Sequence, residues 1–377
     1  MIPVILIIIF VAVLSFGLIR LTYNKYWDKG LDVNLNFAED EVREGDSTAL
    51  LEVITNRKNL PLPAVEIDFS LDRGLRFVNT ENSMVSDKLY RRDIFALSSN
   101  QKITRRLELR CIKRGYYTLK ENGLSANDIF LSKKYVASFP QSTELYVCPA
   151  RISTERIAVP FNRIMGELLS KNRVFEDPFE FGGIRDYTIT DPMKNINWKA
   201  SAKTGSLAVN FHDSTLSQKL CILLDTSGSN SAMEAELDEE SIRITAALAE
   251  RVAAEGISLD ILGCGRDLEN GEQLKLTGLS TGSMDLVNKS LARLRLNHDD
   301  DMKSLMESLP ADNRTVYIFV GKNKQPYIQK ELVRLAGDTR SLWICPYENE
   351  APEIAVDKGK VELILWAADK RKAGKEL

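Results

Sequence analysis

Histidine is almost missing from this chain: only His212 and His298 occur in 377 residues, and neither stands in a recognisable catalytic setting. Cysteine is scarce as well. Cys111, Cys148, Cys221, Cys264 and Cys345 are odd in number, widely spaced and never form a CxxC pair. That spacing argues against a disulfide framework or a zinc site and fits a reducing compartment. The chain has no phosphate-binding P-loop, no G-x-G-x-x-G after a strand and no G-x-S-x-G elbow, so the common nucleotide and serine-hydrolase signatures are lacking. Charge of one sign is lacking too. The formal net charge is −3 and the basic residues are dispersed without interleaved aromatics, which speaks against nucleic acid as a partner.

What is present is a long apolar opening. Ile2 to Ile19 is interrupted only by Pro3, Ser15 and Gly17. As a helix it would extend ~27 Å, enough to cross a hydrocarbon core. A cleaved signal peptide is the rival reading, but the basic n-region and small-residue cleavage site are not clear. Arg20, Lys25 and Lys29 follow the run, so the positive-inside rule predicts a single-pass protein with the bulk of the chain cytoplasmic. Tyr23, Tyr26 and Trp27 are expected at headgroup level as an aromatic anchor.

A hydrophobic share of 44% and a charged share of 27% fit folded protein, and the length suggests two or three domains. The reading divides the chain into a transmembrane helix over 1–20, a β-sandwich-like domain over 31–150, a connecting region over 151–218, an α/β domain over 219–368 and a polar tail over 369–377. Leu31, Val33, Leu35 and Phe37 alternate with polar residues, and similar stretches recur at Ala49–Thr55, Ala64–Leu71, Lys102–Cys111 and Tyr116–Leu119. Glu121-Asn122-Gly123 reads as a turn, and Asn79 to Asp93 as a long polar loop. A short helix is expected around Phe161–Leu169. From Lys219, strands at Leu220–Leu224, Ser258–Leu262, Thr315–Val320, Ser341–Cys345 and Val361–Trp366 alternate with helical patterns, the signature of a doubly wound parallel sheet.

Chemistry concentrates at Asp225-Thr226-Ser227-Gly228-Ser229, directly after an apolar strand. Ligands of open α/β sheets bind at the carboxyl ends of strands. One carboxylate and two hydroxyls on a tight loop offer the hard oxygens that suit Mg²⁺ and not zinc. The same residues equally fit a capping loop, in which Asp225 and the serines bond backbone N–H groups of the next helix. His298-Asp299-Asp300-Asp301 reads as a solvated charge run.

The DxSxS pattern at Asp225, Ser227 and Ser229 resembles the metal-ion-dependent adhesion site of von Willebrand A domains. That resemblance implies a Mg²⁺ ion, a threonine from a second loop, for which Thr281 is the candidate, and an aspartate after a later strand. Gly321 and Lys322 stand where that aspartate is wanted. A second set of residues is similar to the signature of the domain of unknown function 58 family: Phe181-Gly182-Gly183-Ile184-Arg185-Asp186-Tyr187, Asp191, Ile196-x-Trp198-x-Ala200-Ser201-Ala202 and Gly205-x-Leu207. Arg114-Gly115-Tyr116-Tyr117 and Val147-Cys148-Pro149 also match its landmarks. The resemblance covers most of the chain and implies a membrane segment, a β-rich domain, a von Willebrand A-like domain and a MoxR-type AAA+ ATPase as companion. Many members have two membrane spans; this chain shows one.

Within the signature, Ile196 and Trp198 read as one face of a strand. Trp198 and Arg185 then serve either as a buttress, with Trp198 packed between domains as core and Arg185 paired with an acidic partner across the seam, or as a docking surface, since Trp and Arg dominate binding hot spots. The function expected is a membrane-tethered interaction or assembly component and not an enzyme. The alternatives are a hydrolase using the Ser227 loop and a structural envelope protein with a degenerate metal site.

Overall fold

The computed structural model describes residues 2–79, 81–85, 88–174, 181–188, 193, 196–212, 219–228, 231–296, 301–311, 314–337 and 340–368. Ser229, Asp191, His298 and the tail at 369–377 lie outside the described residues. The chain divides into two compact units, Met1–Ala150 and Arg151–Leu377.

The first unit opens with helix α1 (Ile2–Tyr26), whose stretch Pro3–Tyr26 holds an 18-residue window of mean hydropathy 2.9 and is long and apolar enough to cross a membrane. Ten strands follow: β1 (Leu31–Phe37), β2 (Glu41–Arg43), β3 (Ser47–Asn56), β4 (Leu62–Leu71) and β5 (Leu75–Phe77), then β6 (Ser83–Val85), β7 (Leu89–Leu97), β8 (Lys102–Cys111), β9 (Gly115–Asn127) and β10 (Lys134–Cys148). They form one sheet in the order β1-β3-β8-β5 and another in the order β2-β10-β9-β4-β7-β6. The period-2 pattern is visible in burial: β1 alternates buried and exposed residues along its whole length. Leu35, Leu50, Ile54 and Leu109 from one sheet and Ile67, Leu97, Leu124 and Leu145 from the other share a single core, the arrangement of a β-sandwich.

Three expectations change here. Asn79 to Asp93 is not a loop: it holds β6 and most of β7, whose Arg91 and Asp93 are buried and ion-paired at 2.7 Å. Glu121-Asn122-Gly123 is no turn but lies inside the long strand β9, where Gly123 pairs with Asp68 and Ser138. Tyr23 and Trp27 do not form a headgroup belt. Both are buried in the sandwich core; the Tyr23 hydroxyl donates to the Pro61 carbonyl at 2.6 Å, and Trp27 stacks on Tyr135 at 5.4 Å. Only Tyr26 of the three is exposed.

The second unit begins with α2 (Thr154–Val174), β11 (Phe181–Asp186), α3 (Trp198–Thr204) and β12 (Ala208–His212). The region 151–218 is therefore no mere connector. Ile157, Phe161, Ile164 and Leu168 lie on one face of α2 and enter the same core as the following sheet. That sheet uses β13 (Lys219–Leu224), β14 (Ser258–Asp267) and β15 (Gln273–Leu279), with α4 (Ala232–Ala254) between the first two. Then come α5 (Met284–Arg293), β16 (Leu294–Arg295), α6 (Met302–Ser308), β17 (Thr315–Val320), α7 (Pro326–Ala336), β18 (Ser341–Tyr347) and β19 (Val361–Ala367).

The main order is β15-β14-β13-β17-β18-β19, with β16 pairing β14. β13, β14, β17, β18 and β19 run parallel; β15, which sequence periodicity missed, is an antiparallel edge. The apolar runs of the central strands reflect burial on both faces. Leu220, Ile222 and Leu224 of β13 meet the α2, α4 and α5 side, while Cys221 and Leu223 meet the α6 and α7 side. Chain order along the sheet reverses between β13 and β17, which makes their carboxyl ends the switch point of the fold.

Candidate functional site

Asp225 follows β13 at this switch point, and its N–H donates to the Val320 carbonyl at the end of β17 (2.9 Å). Asp225 and Thr226 are both buried. Thr226 does not face solvent: its hydroxyl donates to the Cys264 carbonyl at 2.9 Å, tying the loop to β14. One Asp225 oxygen, Oδ1, accepts from the N–H (2.9 Å) and hydroxyl (2.6 Å) of Ser227, closing a local turn. Gly228 then takes a left-handed φ of 70°, a conformation glycine adopts without steric cost.

The second loop comes from the end of β17. Gly321 is there because there is no room for more: a Cβ at this position would lie 2.8 Å from the Asp225 Cβ. Lys322 donates from Nζ to the Ser227 carbonyl at 3.0 Å and pairs with Asp238 at 2.5 Å. Asp238, on α4, is fully buried, and Lys322 is nearly so. Asn323 Nδ2 donates to Asp225 Oδ2 at 3.0 Å and also lies 3.0 Å from the Tyr327 hydroxyl. Burial, and secondly the Asp225 charge, push the Tyr327 phenol up to about 12, so it stays protonated at neutral pH. Beside these loops lies an open cleft of ≈ 860 Å³ lined by Ser227, Glu234, Lys303, Lys322, Tyr327 and Glu348, among others.

Asp225 and Ser227 are thus brought together as the spacing suggested, and Ser229 lies outside the described residues. Thr281 is not brought to them. Leu279 pairs with Leu259 at the start of β14, whereas Leu224 pairs with Gly263, so Thr281 and Asp225 stand off opposite ends of the sheet, more than about 13 Å apart along the strands. The Thr281 hydroxyl donates instead to the Ala253 carbonyl at the end of α4, 2.7 Å away.

Among the described residues the donors do not fit Mg²⁺, which demands several oxygens in near-octahedral array. Both Asp225 oxygens already accept hydrogen bonds, Asn323 presents its amide N–H to the carboxylate, and a lysine ammonium holds the Ser227 carbonyl. Among the described residues no group of three His, Cys, Asp or Glu side chains could hold a metal. The arrangement is instead a closed polar network in which Lys322 and Asn323 carry the donors. Asp238, Asn323 and Tyr327 were missed in the sequence. Asp238 is followed directly by Glu239 and Glu240, and nothing in its neighbours signals burial.

The Arg185–Trp198 pair also differs from expectation. Ile196 makes only an isolated bridge to Val209. Trp198 opens helix α3, which Asn197 caps by accepting from the Ala200 N–H at 2.9 Å. At 66% exposure Trp198 cannot be a core buttress. Arg185, on β11, donates to the Asp186 carbonyl at 3.2 Å.

No protein-family model and no curated protein matches the chain. Among solved structures, it is similar to a non-cellulosomal cohesin from Archaeoglobus fulgidus (14% identity, 34% of this chain, 97% of that chain, TM-score 0.21). It is also similar to the CARDB domain of a Pyrococcus furiosus protein (13% identity, 30% of this chain, 94% of that chain, TM-score 0.20). A chain of a type I cohesin–dockerin complex from Clostridium thermocellum gives 9% identity over 30% of this chain and 98% of that one, with a TM-score of 0.22. Likeness this slight assigns no activity.

Proposed function

We propose that the chain is a membrane-tethered protein-interaction or assembly component of the domain of unknown function 58 type. Its α/β unit is read as a von Willebrand A-like domain that works with a MoxR-type AAA+ ATPase. The observation that carries this reading is the Asp225–Ser227 loop at the switch point, open to a cleft large enough for a partner's side chains. The apolar run of α1, followed by Arg20 and Lys25 in the helix's last turns and by Lys29 after it, supports a single span with the bulk of the chain cytoplasmic. Docking at the cleft then proceeds without a metal, because Lys322 and Asn323 already bond the loop's oxygens.

Capture of the ATPase by the detergent-solubilised full chain tests this. Capture is expected to survive a chelator and to fall about tenfold or more in Asp225→Ala, because the buried carboxylate holds the Ser227 turn and Asn323 that line the cleft. Capture indifferent to Asp225→Ala removes the cleft as the docking site, and chelator-sensitive capture restores Mg²⁺ to it. A reporter fused after Leu377 that is active only outside the membrane would reverse the topology.

A further inference from the structure

The turn joining β9 to β10 carries three consecutive large apolar side chains. Ile129, Phe130 and Leu131 are 48%, 47% and 63% exposed. Loop tips in water favour small and polar residues. This tip is nevertheless built, not slack. The Leu131 N–H donates to the Asp128 carbonyl at 2.9 Å, and the Asp128 carboxylate accepts from the Ser132 N–H (2.6 Å) and hydroxyl (2.5 Å). Leu131 is held at a φ of 55°, uncommon for a bulky residue. The turn's polar groups close on Asp128 while its apolar side chains stay outside.

The tip lies against helix α1. The rings of Phe130 and Phe16 are 4.8 Å apart. Phe16 sits within the apolar run, about 6 Å along the helix before its first charge, Arg20. Phe16 and Ile19 are 39% and 37% exposed, whereas the other large apolar residues from Val4 to Leu21 are 53–68% exposed. Phe16, Ile19 and the buried Tyr23 form one stripe at helical spacing. At the polar end of that stripe, Lys133 Nζ donates to Asn24 Oδ1 at 2.7 Å. The hairpin therefore runs alongside the helix with its cation at the charged end and its apolar tip at the apolar end. That gradient matches the one across a bilayer interface.

We propose that Ile129, Phe130 and Leu131 enter the acyl region of the bilayer beside α1, so that the chain grips the membrane with a helix and a hairpin wedge. The occupant of this apolar surface is lipid, because the surface is continuous with the lipid-facing helix. The inference rests on α1 being a membrane span.

All five native cysteines are buried, so a polarity-sensitive thiol dye can be directed to single introduced cysteines in the full chain. Leu131→Cys reports the tip, Leu14→Cys the helix, and Ile94→Cys an exposed site on the sandwich as the aqueous reference. The three proteins are reconstituted in phosphatidylcholine vesicles with and without brominated acyl chains. The dyes at 131 and 14 are expected to shift to the blue and to be quenched, and the dye at 94 to do neither. A dye at 131 that behaves like the one at 94, while the dye at 14 is quenched, overturns the wedge and leaves the span intact. Loss of quenching at both 131 and 14 overturns the span and the wedge with it.

Discussion

Lys322 and Asp238 meet at 2.5 Å in a nearly dry setting, where an ion pair offsets part of the cost of lost water. Lys322→Met should lower unfolding stability by about 3–5 kcal/mol, because it takes the ammonium away from the buried Asp238 carboxylate. Adding Asp238→Leu should recover much of that loss in urea denaturation; an unchanged midpoint in the single variant would deny the pair its role. Glu52 presents the opposite case. It is fully buried in the sandwich, with Arg105 Nη1 at 3.2 Å and Asp93 and Arg91 close by, and burial pushes its carboxyl from 4.5 up to about 7 despite the Arg105 charge. The folded state therefore favours protonated Glu52. Its stabilising contribution is complete below about pH 4.5 and is lost as pH rises through 7, on the order of 3 kcal/mol in all. Glu52→Gln should flatten that fall in urea midpoints measured from about pH 5 to about pH 8. At this scale the sequence displayed Asp225 and Ser227, which are neighbours. It concealed Asn323, Asp238 and Tyr327, which approach the loop only when β17, α4 and α7 fold around it.

Helices and strands were legible where burial was one-sided or uniform. β1 and β8 alternate cleanly, and β13, β17 and β18 are apolar enough to be recognised as strands buried on both faces. Misreadings arose where local chemistry and tertiary context diverged. Glu121-Asn122-Gly123 has turn composition, yet pairing on both sides keeps it extended. Ile196-x-Trp198 has strand spacing, yet Asn197 caps a helix between them. For α2, an amphipathic stripe longer than the expected Phe161–Leu169 buries Ile157 and Ile164 in the α/β core. Ile164→Ala should therefore cost about 2–5 kcal/mol in a chemical denaturation of the full chain, whereas a helix serving only as a connector would tolerate it.

On the scale of the whole chain, the boundary at Ala150 and Arg151 puts α2, whose Ile157 and Ile164 share the α/β core, in the second unit. The N-terminal helix, in turn, is part of the sandwich's own architecture. Removing residues 2–19 should leave the sandwich folded, whereas beginning the chain at Gly30 strips Tyr23 and Trp27 from its core. The longer deletion should destabilise the first unit by about 3 kcal/mol or more, readable as a lower urea midpoint than that of the shorter deletion. No flexible tether separates the helix from the domain it carries, since Trp27 is already stacked on Tyr135 and β1 starts at Leu31. In a bilayer thinner than the helix is long, hydrophobic mismatch is relieved by tilting. With α1 as the span proposed above, that tilt has nowhere to be absorbed, so the lipid thickness would set the attitude at which the sandwich stands on the membrane.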